Sequence, residues 1–177
     1  MSAKSVSLAT TLALAALAAC ADPVHDNDVS ALGPEQGSTG PNHRRGQPCV
    51  ICHGGSGPAS SQFAIGGTVY AVRGQDAPAV GVDVQLTDAV NTVKHVTSNE
   101  AGNFFIRGSD WSPVAPIHVQ LTCTNPKDNT QQIQNTMGSH IGRDGSCADC
   151  HFEPRGPDSA GHVYLVVDPA DFFGVCQ

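Results

Sequence analysis

The chain predicts an all-β antiparallel sandwich, and three observations carry that expectation. Short stretches alternate apolar and polar residues at a period of two, as Val82, Val84 and Leu86 do along one side of 81–87. Glycine and proline supply 31 of the 177 residues, about 18% against an average near 12%, which suits a fold with many turns. No long stretch repeats at 3.6, so helices should be few and short.

Taken in order, the first strand covers 67–72 and the second 81–87. A third over 92–97 and a fourth over 103–106 are separated by Ser98-Asn99-Glu100-Ala101-Gly102, which is good turn chemistry. The fifth, 117–123, alternates again, and after a polar stretch 162–167 closes a set of about six strands.

Two five-residue runs interrupt this pattern: Cys49-Val50-Ile51-Cys52-His53 and Cys147-Ala148-Asp149-Cys150-His151. Each is C-x-x-C-H, the attachment signature for c-type haem. The two thiols become thioethers on the haem vinyl groups, and the adjacent imidazole falls under the iron as proximal ligand. With 7 Cys and 8 His in 177 residues, one such run arises by chance in roughly one sequence in a hundred, and two in about one in ten thousand. The motifs imply two covalently attached haem c groups, held by Cys49, Cys52, Cys147 and Cys150, with His53 and His151 on iron.

The start of the chain carries Lys4, an apolar run from Leu8 to Ala19, and small residues leading to Cys20, which together predict a secretory signal peptide over 1–19. Leu17-Ala18-Ala19-Cys20 resembles the lipobox of bacterial lipoproteins; the alternative is an ordinary signal peptide that contains a cysteine. The next residue is Ala21 rather than the Asp that favours inner-membrane retention in lipoproteins. The resemblance therefore implies an outer-membrane lipoprotein acylated at Cys20, facing the periplasm or the cell surface. Residues 20–46 then read as a flexible tether rich in Asp, Gly, Pro and Asn, and 47–177 as a single domain with haem loops at 47–62 and 137–160.

Without the segment before Cys20 the chain keeps 8 basic and 16 acidic residues, a net charge of about −8, so nucleic acid is an unsuitable partner. Setting aside Cys20 and the four motif cysteines leaves Cys123 and Cys176. In an oxidising compartment that even remainder suggests a disulfide, contributing about 4 kcal/mol on the chain-entropy model; two buried free thiols are the alternative.

The middle of the chain, 63–123, resembles the carboxypeptidase regulatory-like domain, a transthyretin-type β-sandwich. Gly66-Gly67-Thr68-Val69-Tyr70, Gly81-Val82-Asp83-Val84 and Thr97-Ser98-Asn99-Glu100-Ala101-Gly102-Asn103-Phe104 carry the resemblance. The insertion around 125–160, with the second motif, departs from it. The whole is similar to a small class of dihaem c-type cytochrome lipoproteins whose haem carrier is the sandwich. There is also an internal echo. His43 and His140 lie six and seven residues before their motifs, and each motif leads through Gly-Pro to a Gly-x-Val-Tyr strand (67–70 and 161–164). In a transthyretin-like sandwich those two strands run side by side and parallel, which would bring both haem loops to one pole.

His43 and His140 are the expected distal ligands, with Met137 the rival at the second haem and His162 in reserve. His118 is expected to face solvent, the side of His95 is undecided, His25 falls in the tether, and Trp111, Phe104 and Phe105 are expected to pack in or beside the core. The function these observations imply is electron transfer, with redox proteins or an extracellular acceptor as partners rather than a chemical substrate. A dihaem peroxidase is the enzymatic version and ranks below it. The alternative is a non-haem surface or adhesion sandwich whose C-x-x-C pairs form disulfides or a four-thiolate zinc site. A thioredoxin-like dithiol would need a βαβ setting with the motif opening a helix, and the pattern predicts no helix there.

Overall fold

Seven strands form among the described residues, which in this computed structural model are 22–35 and 38–176; the expected signal peptide and Cys20 lie outside them. The strands are β1 (Phe63–Val72), β2 (Asp83–Thr87), β3 (Val93–Thr97), β4 (Asn103–Arg107), β5 (His118–Asn125), β6 (Asp128–Thr136) and β7 (Val163–Val166). They make two sheets, one ordered β4-β1-β7 and the other β3-β2-β5-β6, so the chain is an all-β sandwich. Every pairing is antiparallel except β1 with β7, which is parallel with Val69 opposite Val163 and Tyr70 opposite Tyr164. The two halves of the Gly-x-Val-Tyr echo thus stand in register beside each other.

Burial follows the alternation. Val84 and Leu86 of β2 are fully buried while Asp83, Gln85 and Thr87 are half-exposed. With Ile65, Val69 and Ala71 of β1, Phe104 and Ile106 of β4, Leu121 and Cys123 of β5, Leu165 of β7 and Trp111, they build one core between the sheets. Cys123 and Cys176 form a disulfide that ties the last residues to that core.

β6 is the strand the sequence reading passes over. Asp128-Asn129-Thr130-Gln131-Gln132-Ile133-Gln134-Asn135-Thr136 offers one apolar residue, Ile133, and no alternation. It is a strand because the turn after Asn125 folds it back onto β5, where backbone hydrogen bonds rather than burial hold it at the sheet edge. The flexible-tether expectation is also corrected. Residues Pro23–Ala31 form a helix, α1, with Asp22 capping its first turn through the N–H groups of Val24 and His25. None of its residues is buried and no apolar stripe marks it, so periodicity offered no signal. No helix among the described residues is long and apolar enough to cross a membrane.

Candidate functional site

The first motif is itself a short helix, α2 (Cys49–His53), preceded by Pro48. It corrects the expectation of no helix at the C-x-x-C pairs, although a βαβ setting is lacking, since α2 precedes β1 and packs on it. The second motif is tighter: Cys147–Asp149 make a 3-10 turn, with the His151 N–H bonded back to the Cys147 carbonyl.

About a hundred residues apart in sequence, the motifs meet at β1. The alternation of that strand points Gly67 inward, opposite Phe104, and Gly66 outward, opposite Phe105. A Cβ on Gly66 would stand 3.0 Å from the Cβ and 3.2 Å from the Sγ of Cys49; one on Gly67 would stand 2.7 Å from the Cβ and 2.8 Å from the Sγ of Cys147. The two leading cysteines therefore rest on the faces of two consecutive glycines, where a Cβ would be tight against Cys49 and would force Cys147 to move. Ser146 brings the second motif there by a parallel bridge to Gly66, with the Gly66 N–H donating to the Gly145 carbonyl at 2.9 Å. This is the edge of β1 that β7 occupies further along, so the parallel pair puts both motifs at one end of the sandwich.

Burial pushes the Cys49 thiol up to about 11 and the Cys147 thiol up to about 12, the latter also feeling the Cys49 thiol. Reactive dithiols are activated by a lowered pKa, so these two are poor nucleophiles in the free chain. Burial and a hydrogen bond with Asp144 raise Asp149, inside the second motif, to about 7.

The two motif histidines share one arrangement. His53 Nδ1 lies 2.7 Å from the Ser61 carbonyl, and His151 Nδ1 lies 2.9 Å from the Gly161 carbonyl. An imidazole that donates Nδ1–H to a carbonyl keeps Nε2 as the free basic nitrogen, the tautomer a metal ligand needs. Beyond that the sites differ. His53 is buried and stacks on Phe63 at 4.0 Å between ring centres, and Phe63 stacks on Phe105 at 4.4 Å. His43 stands with its ring centre 5.9 Å from that of His53. His43 Nδ1 and Glu35 Oε1 are 2.9 Å apart, though not aligned as a hydrogen bond.

Near the second motif the expected partners have neighbours of their own. The ring that His140 meets is His118, at 6.0 Å, and His162 stacks on Tyr70 at 4.2 Å on the outer face of β1. Met137 is half-buried, with its N–H bonded to the Val119 carbonyl. A cavity of about 550 Å³ opens beside Gly161, with Arg73, Arg155, His162 and Tyr164 in its lining. His118 is exposed as expected; His95 proves to face outward, 2.9 Å from Asp83. His25, expected in the tether, places Nε2 2.8 Å from the Ile51 carbonyl and joins α1 to α2. Phe104 and Trp111 are core residues, but Phe105 belongs to the ring stack under His53, a role shared by Phe63 that the sequence reading missed. Phe63 lies four residues before the strand expected at 67–72, and no pattern in the sequence marked it.

Among the described residues no three His, Cys, Asp or Glu side chains gather as a metal-ion site. A macrocycle that brings its own four nitrogens asks the protein for only one or two axial ligands. No family model matches this chain, and no curated protein or solved structure is significantly similar to it.

Proposed function

We propose that this chain is a lipid-anchored dihaem c-type cytochrome that transfers electrons at the outer membrane or cell surface. The observation that carries the reading is the shared tautomer of His53 and His151, each with Nδ1 spent on a backbone carbonyl and Nε2 free, directly after a C-x-x-C pair. Thioether bonds would form at Cys49 and Cys52 and at Cys147 and Cys150. When bound, haem supplies a one-electron couple at iron, and the protein sets its potential through axial ligands and burial.

The chain's own part is to hold and shield. His53 and His151 would each present one nitrogen, and Phe63 and Phe105 stack in series against the His53 ring. The 5.9 Å between His43 and His53 supports His43 as the first distal ligand. At the second site no imidazole among the described residues is paired with His151 as His43 is with His53, which favours an open distal position. The seating of both motifs on Gly66 and Gly67 favours two neighbouring haems, hence electron passage between them within one chain. The parallel β1–β7 pair and the seven strands support a transthyretin-type sandwich. Acylation at Cys20 would supply the anchor, with redox proteins or an extracellular acceptor as partners.

The test is an oxidised and dithionite-reduced absorption spectrum of protein made with c-type maturation machinery, with a pyridine haemochrome count on the same sample. Two haems per chain are expected. No Soret band, with zinc or disulfides at the four cysteines instead, would make this a structural or adhesive sandwich.

A further inference from the structure

Residues 38–47, expected to belong to a tether, lie clamped across the outer face of β1 and β4, and the clamp has a centre. Thr68 and Asn103 are directly opposite each other on the antiparallel β1–β4 pair, and both are buried. The Thr68 hydroxyl donates to Asn103 Oδ1 at 2.7 Å. That fixes the amide orientation, so Nδ2 donates to the His43 carbonyl at 2.9 Å and toward the Pro41 carbonyl at 3.3 Å. The Gly46 N–H donates to Thr68 Oγ1 at 2.9 Å, and Asn99 Nδ2 to the Pro41 carbonyl at 2.7 Å. Three backbone points around one histidine are thereby pinned by the in-register pair Thr68 and Asn103, with Asn99 sharing the Pro41 carbonyl.

We infer that Asn103, braced by Thr68, is a positioning residue that holds His43 over His53 and so sets the axial coordination at the first motif. The inference rests on the haem reading above. Its physical basis is entropic. A histidine on a free loop must be ordered before it can ligate, and that ordering costs backbone entropy at each residue fixed. Here the sheet has ordered it already, and only the side-chain torsions of His43 are left. Asn103 is suited to this because one amide both accepts from Thr68 and donates to the loop, with neither group left unmatched in a buried place. Asn103 touches neither ligand nitrogen, so its effect must pass through His43.

The experiment uses the full chain carrying its haems and reads carbon monoxide binding to the reduced protein. The pyridine haemochrome count of wild-type protein checks the haem reading separately; fewer than two haems there means that reading has failed. Given two, His43→Ala is expected to raise the number of carbon monoxide sites by one per chain. Asn103→Leu, which removes both polar groups at similar size, is expected to keep both haems. It should open that same site at least partly, with association at least tenfold faster than in wild type. Thr68→Val should act in the same direction more weakly, and Thr68→Ser, which keeps the hydroxyl, should match wild type. If Asn103→Leu does not fold, Thr68→Val against Thr68→Ser decides. No change in His43→Ala overturns the inference, and so does wild-type binding in Asn103→Leu or in Thr68→Val.

Discussion

The two C-x-x-C-H runs share a sequence signature and a histidine tautomer, yet the protein treats them differently. The first is a helical turn on the outer face of β1, with His53 stacked on Phe63, His43 held beside it and α1 tied on through His25. The second is a 3-10 turn entering at the sheet edge, where Cys147 packs against the core and the motif's last cysteine, Cys150, is exposed. One site is enclosed by chain that comes before it; the other is fixed at one thiol and open around the rest. If both carry haem, burial and a second imidazole act on the first alone, so the two potentials should differ. On the proposed function, that difference would give an electron a direction between the two sites.

The sharpest way to break the comparison is at the glycine pair. Gly67→Ala would drive a methyl into Cys147, and Phe104 blocks its retreat at 3.1 Å. Attachment at the second motif should fall by more than half while the first is kept, read by haem count and by mass of the two motif peptides. Gly66→Ala meets Cys49 less tightly and should reduce the first attachment only modestly. Equal losses at both motifs in either variant would mean that the seats are not separate.

Next in size is the count of open iron sites. On the proposed dihaem reading, reduced wild-type protein should bind about one carbon monoxide per chain, with His43 as the ligand that would close the first site. A count of zero would mean that His140, Met137 or His162 swings to the second site and would erase the contrast.

Phe63→Ala should lower stability by about 2 kcal/mol, because a ring sandwiched between His53 and Phe105 is lost. It should also shift the potential of the first haem and leave the second unmoved, as redox titration would report. The smallest effect is chemical. In haem-free chain at neutral pH, iodoacetamide should label exposed Cys150 before Cys147, whose thiol burial holds near 12. Raising the pH toward 11 should bring Cys49 into reaction ahead of Cys147.

Much of this protein was legible locally. β2 and β5 follow from alternation, because a half-buried strand writes its two faces into successive residues. The two C-x-x-C-H runs are visible in the sequence by their spacing alone, and their haem-binding role stands as the proposal above. The disulfide follows from counting cysteines. β6 was not legible, since an edge strand held by backbone hydrogen bonds needs no apolar pattern, and α1 was not, since a capped, solvent-exposed helix writes no stripe.

The sequence by itself determined an all-β chain, two C-x-x-C-H runs and the even pair Cys123 and Cys176. Only the tertiary structure decided that the runs meet on Gly66 and Gly67, that Phe63 and Phe105 belong to the first site, and that His43 is pinned by Asn103 while His140 turns to His118. The reason is the range of the forces involved. Patterning and motif chemistry act between neighbours along the chain and leave their mark in composition and spacing. The hydrogen bonds from Asn103 to the Pro41 and His43 carbonyls join residues about 60 positions apart, and nothing in either local stretch names its partner; the parallel pairing of β1 with β7 reaches further still and showed in the sequence only through the repeated Gly-x-Val-Tyr.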